Sequence, residues 1–221
     1  MIGLGFRVPT SGPLRVLCLG AHCDDIEIGC GGTLLRLRES QPGIEIRWHV
    51  LTSDPARESE TRKSAALFGV ETAAPGALRI DAFRDGFLPY EGARVKDAVL
   101  AARVGWNPDL IFTHAREDRH QDHRVVSELT WNAYRDHTIL EYEIPKWDGD
   151  LGQPNVYVGL DEATVAKKLS ILDTVYVSQK SKAAFSLDAY RGLMAIRGIE
   201  SRSAAGFAEA FLARKLALEL G

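Results

Sequence analysis

One short apolar run near the N-terminus constrains the fold of this chain most strongly. Residues 14–19 are apolar apart from Arg15, and Gly12-Pro13 and Gly20 bound them. A run this short, with no alternation between apolar and polar residues, indicates a strand that is buried on both faces. Such strands belong to parallel sheets that carry helices on both sides. The segment therefore predicts an α/β fold.

The rest of the chain repeats this alternation of strand and helix. Further strands are predicted at residues 44–51, 77–81, 109–113, 138–143 and 155–160. Helical patterns occupy residues 33–39, 55–68 and 91–104 and the stretch after residue 123. Beyond residue 160 we expect a mostly helical C-terminal part, including a helical face at Phe207, Ala210 and Phe211. The length suits one domain over residues 1–221, with a mostly parallel sheet and helices on both faces.

Composition narrows the classes of partner. The 27 basic and 30 acidic residues are well mixed and give a net charge of −3, so we expect neither a nucleic-acid partner nor a membrane surface. No stretch approaches the roughly 20 apolar residues of a membrane span. Residues 1–13 lack the apolar centre of a signal peptide, and three cysteines without Cys-x-x-Cys spacing indicate free thiols. We expect a cytoplasmic protein that acts on a small molecule, and a homo-oligomer remains open.

Two polar clusters follow two of the predicted strands. The first contains His22, Asp24 and Asp25, and the second contains His120, Asp122 and His123. Because the carboxyl ends of parallel strands share one edge of a sheet, the two clusters can meet there. A hydrolytic zinc site takes three ligands of this kind and leaves one position open for water, while a further carboxylate accepts a proton from that water. Spacing does not decide which aspartate does which.

The second cluster offers more than a single ligand. His120 and His123 are three residues apart at the start of a helix, so one can ligate a metal while the other faces the substrate. Asp122 is a candidate to orient a ligand histidine through a hydrogen bond. A set of two histidines and one aspartate suits Zn²⁺, and it also suits Fe²⁺.

Both clusters resemble the motifs of a known family. His22-Cys23-Asp24-Asp25-Ile26-Glu27 resembles His-Pro-Asp-Asp followed by Glu, and His120-Gln121-Asp122-His123 resembles His-x-Asp-His. These are motifs of the zinc-dependent de-N-acetylases of the PIG-L or LmbE-like type, which act on N-acetylglucosamine-containing substrates. The pattern Gly198-Ile199-Glu200 and the stretch 208–211 extend the similarity nearly to the C-terminus.

The resemblance implies a Rossmann-like fold and a role for each motif residue. It implies that His22, Asp25 and His123 hold zinc and that Asp24 is the general base for attack by a zinc-bound water. It implies that His120 stabilises the tetrahedral intermediate or assists the leaving amine. Arg57, at the start of the helix after the second strand, matches a substrate-contacting arginine. The implied reaction is hydrolysis of the acetamide of an N-acetylated amino sugar or sugar conjugate.

Several alternatives remain open at this stage. The motifs specify a reaction and not a substrate, so an amidase acting on another glycoside or on a thiol conjugate is one rival. A non-catalytic, metal-binding protein that recognises sugars is another. A phosphorylatable receiver domain would need Asp81 beside the first aspartate pair, but it leaves the histidines unexplained.

Some residues near the motifs receive no role from the sequence. Cys23 replaces the proline of the family motif, which makes its thiol a rival ligand. Glu27, His114 and Asp118 are equally consistent with a site and with polar loops or helix ends. Three glycines follow the first cluster, and they indicate close helix packing rather than a nucleotide-binding turn. They are Gly29, Gly31 and Gly32.

Overall fold

The computed structural model describes residues 3, 5, 12–70 and 74–217, so most of the segment 1–13 lies outside the described residues. One sheet of seven strands forms the centre of this part of the chain, in the order β3-β2-β1-β4-β5-β7-β6. The strands are β1 (Arg15–Gly20), β2 (Glu45–Thr52), β3 (Leu78–Phe83), β4 (Leu110–His114), β5 (Thr138–Tyr142), β6 (Val156–Leu160) and β7 (Phe207–Leu212). The helices are α1 (Asp25–Ser40), α2 (Pro55–Leu67), α3 (Gly92–Ala101), α4 (Gln121–Ala133), α5 (Glu162–Val175) and α6 (Leu187–Ser201), with short 3₁₀ helices at Leu88–Glu91 and Val177–Gln179.

Helices cover both faces of this sheet. Along β1, Val16 and Cys18 join an apolar core with residues of α1, α2 and α5. Leu17 and Leu19 point the other way and join a second core with residues of α3 and α4. Successive side chains of a strand alternate between faces, so a strand between two helical layers must be apolar throughout. The α/β fold predicted from this run is confirmed.

The sheet is parallel from β3 to β5, and β7 is antiparallel to both of its neighbours. The chain moves outward from β1 through β2 to β3, and then returns to place β4 on the other side of β1. In open α/β sheets, the crevice at such a reversal is where ligands bind. The loops after β1 and β4 therefore meet at the usual ligand position.

The glycines of α1 allow this helix to lie very close to its neighbours. A Cβ atom on Gly29 would lie 2.3 Å from Cδ2 of Tyr142, and one on Gly32 would lie 2.6 Å from Cδ1 of Leu160. Gly31 faces the ring of Phe68 in the same way. The predicted close packing is confirmed, and it explains why a helix runs through three residues of low helix propensity.

The C-terminal part contains α5 and α6, but the predicted helical face at Phe207, Ala210 and Phe211 is wrong. These residues belong to β7, which pairs with β5 on one side and β6 on the other. The strand is buried on both faces, so its apolar residues do not alternate with polar ones and their spacing imitates a helix. Among the described helices, none combines the length and the apolar composition that a membrane crossing requires.

Candidate active site

The two polar clusters lie together at the carboxyl ends of β1 and β4. His22 follows β1 and Asp25 opens α1, while His120 caps the N-terminus of α4 and His123 lies in its first turn. The Nδ1 atom of His22 is 3.1 Å from Nε2 of His123, although the two residues are 101 positions apart. Parallel pairing of β1 with β4 is what brings these loops together.

His22 and His123 are each oriented by carboxylates on the side of the ring that faces away from the cluster. Nδ1 of His123 lies 2.9 Å from Asp118 Oδ2, which assigns the ring proton to Nδ1 and leaves Nε2 as a lone-pair donor. Nε2 of His22 lies 3.3 Å from Asp122 and 3.1 Å from Asp85, so the Nδ1 atom of His22 faces the cluster. Both rings thus turn a potential ligand atom toward the same point.

The arrangement of these atoms fits a zinc ion. Nδ1 of His22 lies 3.1 Å from Nε2 of His123 and 3.3 Å from Oδ2 of Asp25, and Nε2 of His123 lies 3.5 Å from the other oxygen of Asp25. Ligands about 2.1 Å from a tetrahedral zinc ion are about 3.4 Å from one another. A cation between these atoms would satisfy all three groups. His22, Asp25 and His123 are therefore suited to hold one.

The pKa values of His22 and Asp25 also indicate that this point of the site favours a positive charge. Burial opposes protonation of His22, yet Asp25 and the hydrogen bonds to Asp122 and Asp85 raise its pKa well above the ordinary value. For Asp25, burial is outweighed by His123, His114 and His22, and its pKa is well below the ordinary value. Burial and the neighbouring His114 lower the pKa of His123 to about 3. The carboxylates around His22 thus favour a positive charge at this point, and a divalent cation would supply it.

Other groups of residues also lie close enough together to share an ion. They are His22 with His120 and His123, Asp25 with His114 and His123, and His22 with Asp85 and Asp122. The first would remove His120 from the substrate side. The second is less suitable, because Nε2 of His114 already accepts a hydrogen bond from the Ala21 N–H at 3.0 Å. The third would use Asp122, whose two oxygens each accept a backbone N–H group, whereas Asp25 accepts one such group, from His22 at its Oδ2 atom.

Asp24 lies beside this cluster and points toward α2. Its Oδ1 atom accepts a hydrogen bond from the guanidinium of Arg57 at 2.8 Å. Asp54 caps α2 and fixes its first turn, where Arg57 is largely buried. Burial raises the pKa of Asp24, and Arg57 acts against that shift. Asp24 is thus a carboxylate with a raised proton affinity next to the candidate metal ligands.

His120 is half-buried and lies at the edge of the cluster. Its ring centroid is 4.8 Å from that of His22. Its Nδ1 accepts the Asp122 N–H at 3.3 Å, so a neutral His120 carries its proton on Nε2 and can donate it outward. Burial and the positive charge of His22 lower the pKa of His120.

Asp122 is completely buried and does more than orient a ring. Its two oxygens accept the backbone N–H groups of Gly86 at 2.7 Å and Leu88 at 3.1 Å. It therefore ties the loop after β3 to the start of α4. That loop also carries Asp85, an exposed carboxylate next to His22 that sequence reasoning missed. Its position after a parallel strand was the available signal.

The structure also places the residues that had no role. Asp118 orients His123, and His114 contacts Asp25 and Tyr142. The Cys23 thiol is fully buried and donates to the Thr52 carbonyl, and burial raises its pKa, which argues against a thiolate ligand. Asp81 of β3 pairs with His49 of β2 and with Arg79 of its own strand, so it does not complete a receiver site.

Comparison with known proteins gives a family match for this chain. The PIG-L family model, described as GlcNAc-PI de-N-acetylase, matches residues 17–134, just over half of the chain. The uncharacterized deacetylase YaiS of Escherichia coli K12 is 29% identical over 168 residues, which cover 71% of this chain and 88% of that protein.

Solved structures show the same fold. The conserved protein TT1542 from Thermus thermophilus superposes with a TM-score of 0.73 at 22% identity, covering 94% of this chain and 97% of the other. The N,N'-diacetylchitobiose deacetylase from Pyrococcus horikoshii gives 0.67 at 21% identity, covering 90% and 83%. A 4-carboxy-2-hydroxymuconate hydratase, GalB from a Pseudomonas, gives 0.68 at 16% identity, covering 94% and 99%. The fold alone thus does not fix the reaction, but the family match extends over both motifs, and the chain belongs to the PIG-L de-N-acetylase family.

Proposed function

We propose that this protein is a zinc-dependent hydrolase that removes the acetyl group from an N-acetylated amino sugar or sugar conjugate. One observation carries the proposal. Two histidines and one carboxylate turn their acceptor atoms to one point, with spacings that suit zinc, and Asp24 lies free of that set. Membership of a de-N-acetylase family supports the choice of an acetamide as the bond that is cleaved.

In this mechanism His22, Asp25 and His123 hold the metal ion. A zinc ion there would supply Lewis acidity, lowering the pKa of a coordinated water to about 7 and polarising a carbonyl oxygen. Asp118, Asp122 and Asp85 keep both histidine rings in the ligating orientation. The ion-binding residues are therefore held in place from outside by carboxylates.

Asp24 is the general base in this mechanism. It takes a proton from the attacking water, and Arg57 keeps its carboxylate in place. His120 donates a hydrogen bond from Nε2 to the oxyanion of the tetrahedral intermediate or gives its proton to the departing nitrogen; in the first case the nitrogen takes the proton that Asp24 received from water. The carbon–nitrogen bond then breaks and yields acetate and a free amine.

Arg57 and Asp85 form the substrate-binding part of the site. Nη1 of Arg57 lies 3.9 Å from Oδ2 of Asp85. The Asp85 side chain is 60% exposed, while that of Arg57 is largely buried. A guanidinium and a carboxylate at this position can donate to and accept from sugar hydroxyl groups. This pairing favours a sugar over an apolar amide.

The first test combines metal analysis with acetate release from a panel of N-acetylated sugars and sugar nucleotides. Asp24→Asn keeps the hydrogen bond to Arg57 but removes the base, so we expect acetate release to fall about 10²- to 10⁴-fold with the zinc content unchanged. Asp173→Asn, in an exposed pair with Lys180, is the control and should behave as wild type.

Other outcomes separate the alternatives. Equal loss of zinc and of activity in Asp24→Asn would contradict the division of roles between Asp24 and Asp25. Stoichiometric zinc with no turnover on any acetylated sugar would favour a non-catalytic sugar-recognition protein. Turnover confined to another glycoside or to a thiol conjugate would favour the broader amidase, and bound iron would make Fe²⁺ the native metal.

A further inference from the structure

The main-chain carbonyl of Cys23 is held by side chains from two helices. The Thr61 hydroxyl of α2 lies 3.2 Å from it and shares its one proton between this oxygen and the Arg57 carbonyl at 2.9 Å. The Tyr176 hydroxyl at the end of α5 donates to the same Cys23 oxygen. This oxygen belongs to the peptide group between Cys23 and Asp24. The two hydrogen bonds therefore fix the plane from which the Asp24 side chain departs.

Tyr176 is itself held by a second residue of the first motif. Its hydroxyl contacts Oε1 of Glu27, and both side chains are almost fully buried. A phenol has one proton, so the Cys23 carbonyl oxygen and Oε1 of Glu27 share it as acceptors. Glu27 thus holds the Tyr176 hydroxyl next to the Cys23 carbonyl. Thr61 and Tyr176 thus contact one peptide group of the motif turn, and Glu27 of α1 supports it through Tyr176.

We propose that Tyr176, supported by Glu27, is a positioning residue that sets the orientation of the Cys23–Asp24 peptide and so aims the carboxylate of Asp24. Its effect on turnover rests on the proposed function, in which Asp24 is the general base. A general base must lie within hydrogen-bond reach of the proton it accepts, and a displacement of about 1 Å can cost about 10²-fold in rate. Arg57 holds the far end of Asp24, and Tyr176 holds its backbone.

This proposal gives roles to two motif residues that the sequence left without one. Glu27 contributes through a hydrogen bond to Tyr176 and not through contact with a metal. At position 23 the motif of the family has proline, whose ring stiffens the turn. Cys23 lacks that restraint, and here the peptide is instead held through its carbonyl oxygen while the thiol bonds to Thr52.

One spectroscopic experiment observes this peptide directly. Cys23-Asp24 is the only Cys-Asp dipeptide in the sequence. Protein labelled with ¹³C at cysteine carbonyls and ¹⁵N at aspartate amides therefore gives a single carbonyl–amide correlation in an NMR spectrum. We expect Tyr176→Phe to shift this signal, with the carbonyl carbon moving upfield because it loses a hydrogen bond. Tyr134→Phe removes another buried phenol, bonded to Val99 at 3.4 Å in the opposite layer, and should leave the signal unchanged.

Variants of Glu27 and Thr61 complete the experiment. Glu27→Gln keeps an acceptor for the phenol and should retain the wild-type signal, while Glu27→Met removes the partner that holds the phenol in place and should displace the signal. Thr61→Val removes the other hydrogen bond to the same oxygen and should shift the signal in the same direction. These variants keep the proposal testable if Tyr176→Phe does not fold.

Kinetics then test whether the orientation matters for turnover. We expect kcat of Tyr176→Phe to fall about 10- to 100-fold with KM and zinc content unchanged, and Glu27→Gln to remain near wild type. An unchanged peptide signal in Tyr176→Phe, or a shifted signal with unchanged kcat, would overturn the proposal. If the wild-type protein releases no acetate from any substrate, the proposed function fails, and the NMR signal still decides whether Tyr176 orients the peptide.

Discussion

His123 is held in place by residues that lie outside the candidate ligand set. It receives its orientation from Asp118 through Nδ1 and offers Nε2 to the candidate metal. Asp118 in turn contacts Lys146 at 3.0 Å, which fixes the carboxylate from the loop after β5. Hydrogen bonds of this kind select the tautomer of a ligand histidine and raise its basicity. The candidate metal site thus depends on residues outside the ligand set.

We therefore expect Asp118→Ala to weaken zinc binding about 10- to 100-fold, because His123 loses the partner that holds its ring. Competition with a chromophoric chelator measures the affinity. Asp136→Ala is a matched control, since Asp136 also pairs with a histidine, His137, at 2.8 Å, but its own carboxylate is 73% exposed. An unchanged zinc affinity in Asp118→Ala would show that packing alone orients His123.

The residues of the two motifs could be predicted from sequence because the chemistry of a metal site is concentrated in a few residue types. Their partners could not. Asp85, Asp118 and Tyr176 lie on three separate elements, and an isolated aspartate or tyrosine is equally at home on a solvated loop or in a core. Only the fold shows that these side chains face the motifs.

Six of the seven strands could be predicted from the sequence, and the seventh could not. The strands β1 to β6 have apolar runs bounded by turns, so their positions follow from sequence within one or two residues. The last strand was missed because it is buried on both faces and its apolar residues imitate the spacing of a helix. Its close approach to α6 also depends on a glycine. A Cβ atom on Gly198 of α6 would lie 2.1 Å from the carbonyl oxygen of Gly206, just before β7 begins. No local pattern reports such a contact.

Alanine substitutions at two glycines of α6 should change the free energy of unfolding in opposite directions. Gly198→Ala should lower the free energy of unfolding by about 1–3 kcal/mol, because the returning backbone must move. Gly192→Ala, in the same helix, meets nothing within 4 Å and should raise it by about 0.5–1 kcal/mol through better helix propensity. Urea denaturation of both variants measures the difference. Equal effects would show that β7 does not depend on close approach to α6.

In the whole molecule, the C-terminal part joins the rest of the chain through the sheet and through a buried ion pair. The family match ends at residue 134, yet β5 pairs with β4 and β7 pairs with β5, so the sheet continues without interruption. A buried ion pair adds a second connection. Lys168 of α5 contacts Glu209 of β7 at 2.7 Å, and Glu209 also accepts the backbone N–H groups of Gly32 and Thr33 in α1. The helix that begins at the motif is thereby bound to both C-terminal elements.

This connection predicts one cooperative domain over the described chain, which Lys168→Met can test. Removing the ammonium leaves the Glu209 carboxylate buried without its counter-ion, and we expect a loss of about 3–5 kcal/mol in the free energy of unfolding. Arg191→Met breaks an exposed pair with Glu162 that also joins α5 to a neighbour, and it should leave the free energy of unfolding almost unchanged because solvent screens the pair. If the chain is one domain, near-UV and far-UV circular dichroism should shift together in Lys168→Met, since all elements unfold in one transition. A variant that loses only the helical signal of the C-terminal part, while the rest unfolds at the wild-type urea concentration, would show that the chain contains two units.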